Sequence, residues 1–238
     1  MEISAFAYSS KGRRDNNEDA CGFSSADRVW AVADGLGGHT GGEAASQIAV
    51  SYVLQAAKSA GSGGEIVRII LGANERLIAE QKANPALMGM RTTIVAAFAS
   101  ETHIRYIHAG DSRFYYFKNG RVTAQTKDHS VCQMAVQAGE ITAGQIRFHE
   151  DRNKLLKVLG GSENLGLRAA DGEIPLEKGD AFLLCTDGFW ELILEPEMEI
   201  DLLKSYTPQA WTDTMVARVL GRLTDKSDNF TVLCGFIN

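Results

Sequence analysis

Between Val29 and Ser46 the chain reads VWAVADGLGGHTGGEAAS: an apolar, strand-like run stops on an aspartate, crosses five glycines and enters a helical period. From Gly42 onward, Ala45, Ile48, Ala49, Tyr52, Val53, Ala56 and Ala57 recur at spacings of three and four, which predicts a helix with one buried face. It stops in SAGSGG. A second helix is predicted from Ile66, Ile69, Ile70, Ala73, Leu77 and Ile78, ending ahead of Asn84 and Pro85 because a residue before proline is sterically pushed out of the helical region. The two helices should pair antiparallel. The period then switches to two: TTIVAAFA, HIRYIHAG and RFYYFKNGRV read as strands of an antiparallel meander, with Lys118–Gly120 as a hairpin turn. From about 127 to 170 the pattern breaks into short polar pieces such as QAGEIT and HEDRN, which predicts small helices and loops, with a lid at about 131–170. DAFLLCTDG restores a buried strand. Trp211, Met215, Val216, Val219, Leu220 and Leu223 mark a last helix, and NFTVLCGFI a final strand.

Composition narrows the class. With 238 residues, 45% apolar and 23% charged, the chain is expected to form one soluble domain spanning 1–238. A net charge of -6 argues against nucleic acid or an anionic membrane as partner, since a phosphate backbone demands a concentrated basic surface. Lys11–Arg14 (KGRR) is the one basic cluster. The four cysteines, Cys21, Cys132, Cys185 and Cys234, are widely spaced without a C-x-x-C pair, so buried free thiols are expected. The N-terminal MEISAFAYSSKGRR has no apolar stretch of signal-peptide length, and no run approaches the about 18 apolar residues of a membrane span. A cytoplasmic location is the expectation.

One pattern recurs. VWAVADG and FLLCTDG are both apolar strands ending in Asp-Gly, at Asp34 and Asp187, and RYIHAGDS delivers Asp111 after a third such run. Asp228 precedes the last strand, and Glu18 and Asp19 precede the first Asp-Gly strand. A single aspartate at a strand end is usually a turn or a helix cap. Six carboxylates mounted at the ends of core elements are different, because gathered acids repel and are costly to bury unless something positive holds them. Oxygen-only ligands favour hard ions such as Mg²⁺ or Mn²⁺ over zinc. Two such ions sharing a bridging aspartate would generate a hydroxide and clamp a transferring phosphoryl group, which is hydrolytic chemistry. The glycines then allow the chain at Gly35 to approach an ion through its carbonyl. Nucleotide-loop readings fail on spacing. Thr40 stands where G-x-G-x-x-G needs its third glycine, and Glu43 follows Gly42 where a P-loop needs lysine.

RRDNNEDA, VADGLGGHTGGEAAS, GMRTTIVAAF, HAGDSRFYYFKNGRV, TKDHSV, GEIT, LLCTDGFWE and SDNFTVL occur in the order found in bacterial PP2C-type (PPM) protein serine/threonine phosphatases. The resemblance covers nearly the whole chain. It implies an α+β fold, a four-layer α/β/β/α sandwich of two antiparallel sheets flanked by helix pairs, with a binuclear Mn²⁺/Mg²⁺ site at one edge. By that resemblance Asp34 is the bridging ligand, Gly35 a carbonyl ligand, Asp187 and Asp228 ligands of one ion, and Glu18 and Asp19 ligands of the other, directly or through water. Asp111 resembles the acid that helps Asp187 hold a weaker third ion, and Arg14 the phosphate-binding arginine. The implied reaction is direct hydrolysis of phosphoserine or phosphothreonine in proteins, opposing a Ser/Thr kinase.

Other residues have two readings. His39 is either the general acid that protonates the departing Ser or Thr oxygen or a cap of the following helix. Asp128 and His129 read as the start of a helix over a contact with substrate, and Trp190 as core or lid packing over stacking on substrate. LLKV at Leu155–Val158 departs from the TRA-like stretch of many relatives, and CTDGFWE resembles the phosphatases of type VI secretion clusters. A catalytically dead phosphoprotein-binding scaffold and a small-molecule phosphohydrolase are the rival readings. The chain is expected to be a monomer.

Overall fold

The computed structural model describes residues 1–37, 41–60, 66–167 and 170–238. Strands β1 (Ile3–Ser10), β2 (Asp19–Ser24) and β3 (Val29–Leu36) lead into helices α1 (Gly41–Ala60) and α2 (Ile66–Ala83). Strands β4 (Arg91–Thr92), β5 (Ile94–Ala99), β6 (His103–Ala109), β7 (Arg113–Lys118) and β8 (Arg121–Gln125) follow. After the short helix α3 (Val131–Gln137) come β9 (Gly172–Pro175), β10 (Ala181–Cys185), α4 (Asp187–Trp190), α5 (Glu195–Leu203), α6 (Pro208–Leu220) and β11 (Phe230–Ile237).

The strands form two antiparallel sheets, ordered β1-β11-β10-β7-β8 and β2-β3-β5-β6-β9, with β4 beside β3. Strand alternation assigns each face its partner. In β3, Val29, Ala31 and Ala33 pack with Ala45, Ala49 and Val53 of α1 and with Ile70 and Ala73 of α2. Trp30 and Val32 point the other way, into the layer between the sheets with Phe182 and Leu184. Trp30 meets Phe182 edge-on at 4.9 Å. On the far side, Trp211, Met215 and Val219 of α6 cover β10 and β11. Three apolar layers thus separate four tiers of structure, and the expected α/β/β/α sandwich is present.

The meander is a correction. β6 and β7 lie in different sheets, so the chain crosses the sandwich between Ala109 and Arg113 instead of turning back within one sheet. Two strands joined by a short Gly-Asp-Ser link give the same hydrophobic pattern either way. The β7–β8 hairpin does form, with Asn119 and Gly120 at φ of 52° and 73°, the left-handed values of a tight two-residue turn.

Residues 131–167 hold α3, a 3-10 turn at Ala143–Phe148 and irregular chain. This segment is tied down by bridges from Ser130 to Leu155 and from Thr92 to Leu159. Buried Asn74 of α2 adds a donated bond to the Ser162 carbonyl and accepts from the Gly160 amide. Ser130, not Asp128 or His129, caps α3 by accepting from the Gln133 amide. Asp128 is used instead in a buried ion pair with Arg113, and the His129 ring stacks on His108 at 4.2 Å. Among the described residues no helix is long and apolar enough to cross a membrane.

Candidate active site

The acids are delivered by five different elements. Asp19 and Asp34 are directly opposed in the β2–β3 register. Asp111 rides on the crossing between sheets, Asp187 opens α4, and Asp228 sits two residues ahead of β11. The end of β3 is fixed by two threonines. Thr93 Oγ1 accepts from the Asp34 amide at 2.9 Å, while Thr92 Oγ1 and the Thr93 amide donate to the Asp34 carbonyl at 2.7 and 2.8 Å. The next residue must be glycine. Gly35 donates to the Glu18 carbonyl, and a Cβ there would strike the carbonyl of Gly42 and lie 2.6 Å from that of Glu18.

These elements surround a cavity of about 450 Å³ lined by Arg14, Glu18, Asp34, Gly35, Asp111, Asp187 and Asp228, with Asn153, Leu155 and Asn229 among the others. Every expected site residue is on that wall except Asp19, which lies just behind it, and His39, which falls outside the described residues. Arg14 stands at the rim, half exposed, donating to Asp228 Oδ2 at 2.9 Å and to the Ser227 carbonyl at 3.3 Å.

Burial sets the electrostatics. Desolvation, opposed by bonds from Thr231 and Thr186, pushes the Asp19 carboxyl up to about 8. Asp187 is pushed up to about 7, by burial first and then by Glu191 and Asp228. Asp34 and Asp111 are raised well above the carboxylate range, again by burial first and then by Asp187. A cluster of acids that cannot all ionise is one that a cation would discharge. The hydrogen bonding agrees, because among the described residues Asp19 Oδ1 and Asp187 Oδ1 are buried and accept from no protein donor. As arranged, no three His, Cys, Asp or Glu side chains among the described residues form a ready-made ion cage. Asp19 Oδ2 is instead spent on Thr186 and Thr231, and Asp228 Oδ2 on Arg14. The donor set, all oxygen and strongly acidic, fits hard divalent ions.

Sequence reasoning missed several supports. Asn229 accepts from the Glu18 amide and donates to the carbonyls of Lys11 and Asn16, binding the first loop to the last strand. Thr186 and Thr231 carry their signal as hydroxyls inside otherwise apolar strand sequence, both fully buried. Asn153 and Leu155 fall in the segment read as a lid, but nothing local in HEDRN or LLKV singles them out as the residues that reach the cavity.

Residues 8–227 match the family model for protein phosphatase 2C, and the chain belongs to that family. A Listeria innocua serine/threonine phosphatase, Stp, is 31% identical over 234 residues, covering 94% of this chain and 91% of that protein. PstP of Mycobacterium tuberculosis is 33% identical over 181 residues, covering 74% of this chain, but the matched region is only 34% of PstP. The chain thus spans about a third of that relative. The catalytic domain of a PstP, solved with two manganese ions, superposes with a TM-score of 0.84 at 26% identity, covering 99% of both chains. PppA, described as a regulatory component of type VI secretion in Pseudomonas aeruginosa, gives 0.82 at 26% identity, covering 99% of this chain and 98% of that one.

Proposed function

We propose that the protein is a metal-dependent protein serine/threonine phosphatase with a two-ion Mn²⁺ or Mg²⁺ centre. The observation that carries this reading is the convergence of mutually repelling acids, buried and half-buried, on one cavity beside Arg14, with buried oxygens of Asp19 and Asp187 left without a protein donor. Divalent ions held there would supply a nucleophile from water at neutral pH and offset charge on the phosphoryl group. Asp34 is assigned as the ligand the two ions would share, the Gly35 carbonyl as a further ligand, Asp187 and Asp228 as ligands of one ion, and Glu18 and Asp19 as ligands of the other, directly or through water. Asp111 with Asp187 is assigned a weaker third ion. Arg14 orients the phosphate, its planar fork matching two phosphoryl oxygens once it turns from Asp228. A water oxygen bonds to phosphorus, the phosphorus–oxygen bond to the Ser or Thr side chain breaks, and a proton passes to the departing oxygen. His39, outside the described residues, is assigned as its donor because an imidazole can give up a proton near neutral pH, with a helix cap as its other reading.

The segment at about 131–170 acts as a lid on a single catalytic domain, a reading supported by Asn153 and Leu155 on the cavity wall. Phosphorylated proteins, a Ser/Thr kinase or its targets among them, are the substrates, and the chain works as a cytoplasmic monomer. The likeness to PppA is no greater than that to PstP, so a type VI secretion role has no separate support. The intact acids favour an enzyme over a scaffold.

The test is turnover by Mn²⁺-loaded protein of phosphoserine and phosphothreonine peptides against sugar phosphates and nucleotides. Peptides should be preferred. Preference for the small molecules would overturn the protein-substrate reading, and no turnover of either would leave the scaffold.

A further inference from the structure

The side chain of Trp190 is 1% exposed and sits on α4, three residues after Asp187. Its indole Nε1 donates to the backbone carbonyl of Asp111 at 2.9 Å. Asp111 lies on the crossing between the two sheets, where its carbonyl has no place in a strand ladder. The bond therefore joins the two segments that carry Asp111 and Asp187. The ring is itself held. The Arg113 guanidinium carbon lies 3.4 Å from the ring centroid, and Arg147 of the 3-10 turn approaches to 5.4 Å. Arg113 is locked in turn by two 2.8 Å bonds to Asp128, a pair buried on both sides.

A buried ion pair of this kind is a poor source of stability, since well-packed apolar residues often do as well. What it supplies is a fixed orientation. Cationic groups on the ring also draw electron density from the indole and strengthen its N–H as a donor.

We propose that Trp190 is a positioning residue that sets the spacing of Asp111 and Asp187 for a cation held between them. The inference rests on the proposed role of those two acids. Trp190 touches neither substrate nor ion, and acts through the Asp111 backbone and its own helix.

Mn²⁺ binding measured by calorimetry on the full chain, well below each variant's unfolding midpoint, tests it. Asp111→Asn should remove the weakest class of Mn²⁺ binding and so identify the site. Trp190→Phe removes the donor but also ring area, so Trp190→3-benzothienylalanine, which replaces N–H by sulfur at nearly constant shape, is the decisive variant. It should weaken that same class roughly 3- to 10-fold, as expected for one lost hydrogen bond, while the tighter classes change less than about twofold. Unchanged Mn²⁺ binding in the benzothienyl variant, or equal weakening of every class, would overturn the inference. Wild-type binding by Asp111→Asn would overturn the reading of the acid pair, and the inference with it.

Discussion

Asp19 and Asp34 stand opposite one another across the β2–β3 pair, Asp19 buried and Asp34 half-buried on the cavity wall, and desolvation is the first cause raising the carboxyl pKa of each. Like charges at directly paired positions destabilise a sheet, and the buried Asp19 has little water to relieve it. Stability and function therefore pull in opposite directions. In chelator-treated protein Asp34→Asn should unfold at the same temperature as wild type or higher. With Mn²⁺ present it should lose on the order of 10²-fold or more in kcat, because preorganised charge at a reacting centre is worth about 3 kcal/mol or more. Asp187→Asn should behave likewise. Melting curves and turnover on a phosphothreonine peptide decide it, and losses below about threefold in both would remove these acids from the reaction.

Gly35→Ala should be among the most damaging small changes. The added Cβ meets backbone carbonyls of Gly42 and Glu18, which cannot swing aside as a side chain could. A destabilisation of at least about 3 kcal/mol is expected, the upper end of overpacking costs. Denaturant unfolding would show it, and a loss under about 1 kcal/mol would mean that the β3–α1 junction yields more easily than its packing implies.

Arg14→Ala should raise KM more than it lowers kcat, since a guanidinium that grips the phosphate in ground and transition states contributes mostly uniform binding. Arg13, exposed and off the cavity wall, is the internal control. Steady-state kinetics showing damage from Arg13→Ala and none from Arg14→Ala would move the phosphate contact by one residue.

His129 makes stability pH-dependent. Burial first, then the stacked His108 and nearby Lys157, push its pKa down to about 3. Unfolded, it would titrate near about 6.5, so the unfolded chain binds the extra proton between the two values. Its contribution is complete above about pH 6.5 and is lost progressively as pH falls toward 3. His129→Gln should flatten the decline in unfolding free energy between about pH 6.5 and 4.5. Parallel wild-type and variant curves over that range would show that the ring is not held neutral.

Much of this was legible in the sequence where one physical signal dominated. The two long helices announced themselves by period, and the strands ending in Asp34 and Asp187 by a run of apolar residues halted at an acid. The edge strands were harder. β1 and β2 each have one neighbour and are mostly half-buried, so their alternation is weak, and β9 is only four residues long with no buried position. The crossing at Asp111 was invisible because it leaves the pattern of a meander unchanged. The Arg113–Asp128 pair hid for a related reason: a charge in a strand normally faces water, and Asp before His-Ser normally starts a helix. Trp190 was read as packing and is indeed buried, but its bond to Asp111 joins residues far apart in sequence.

The central claim is that the acids lining the cavity work by holding divalent ions. Phosphate release from a phosphothreonine peptide, followed as chelator-stripped protein is titrated with Mn²⁺, tests it most directly. The account predicts no measurable turnover without metal and a saturable rise as Mn²⁺ is added, shifted to higher Mn²⁺ by Asp228→Asn. Undiminished turnover by the stripped protein would contradict it.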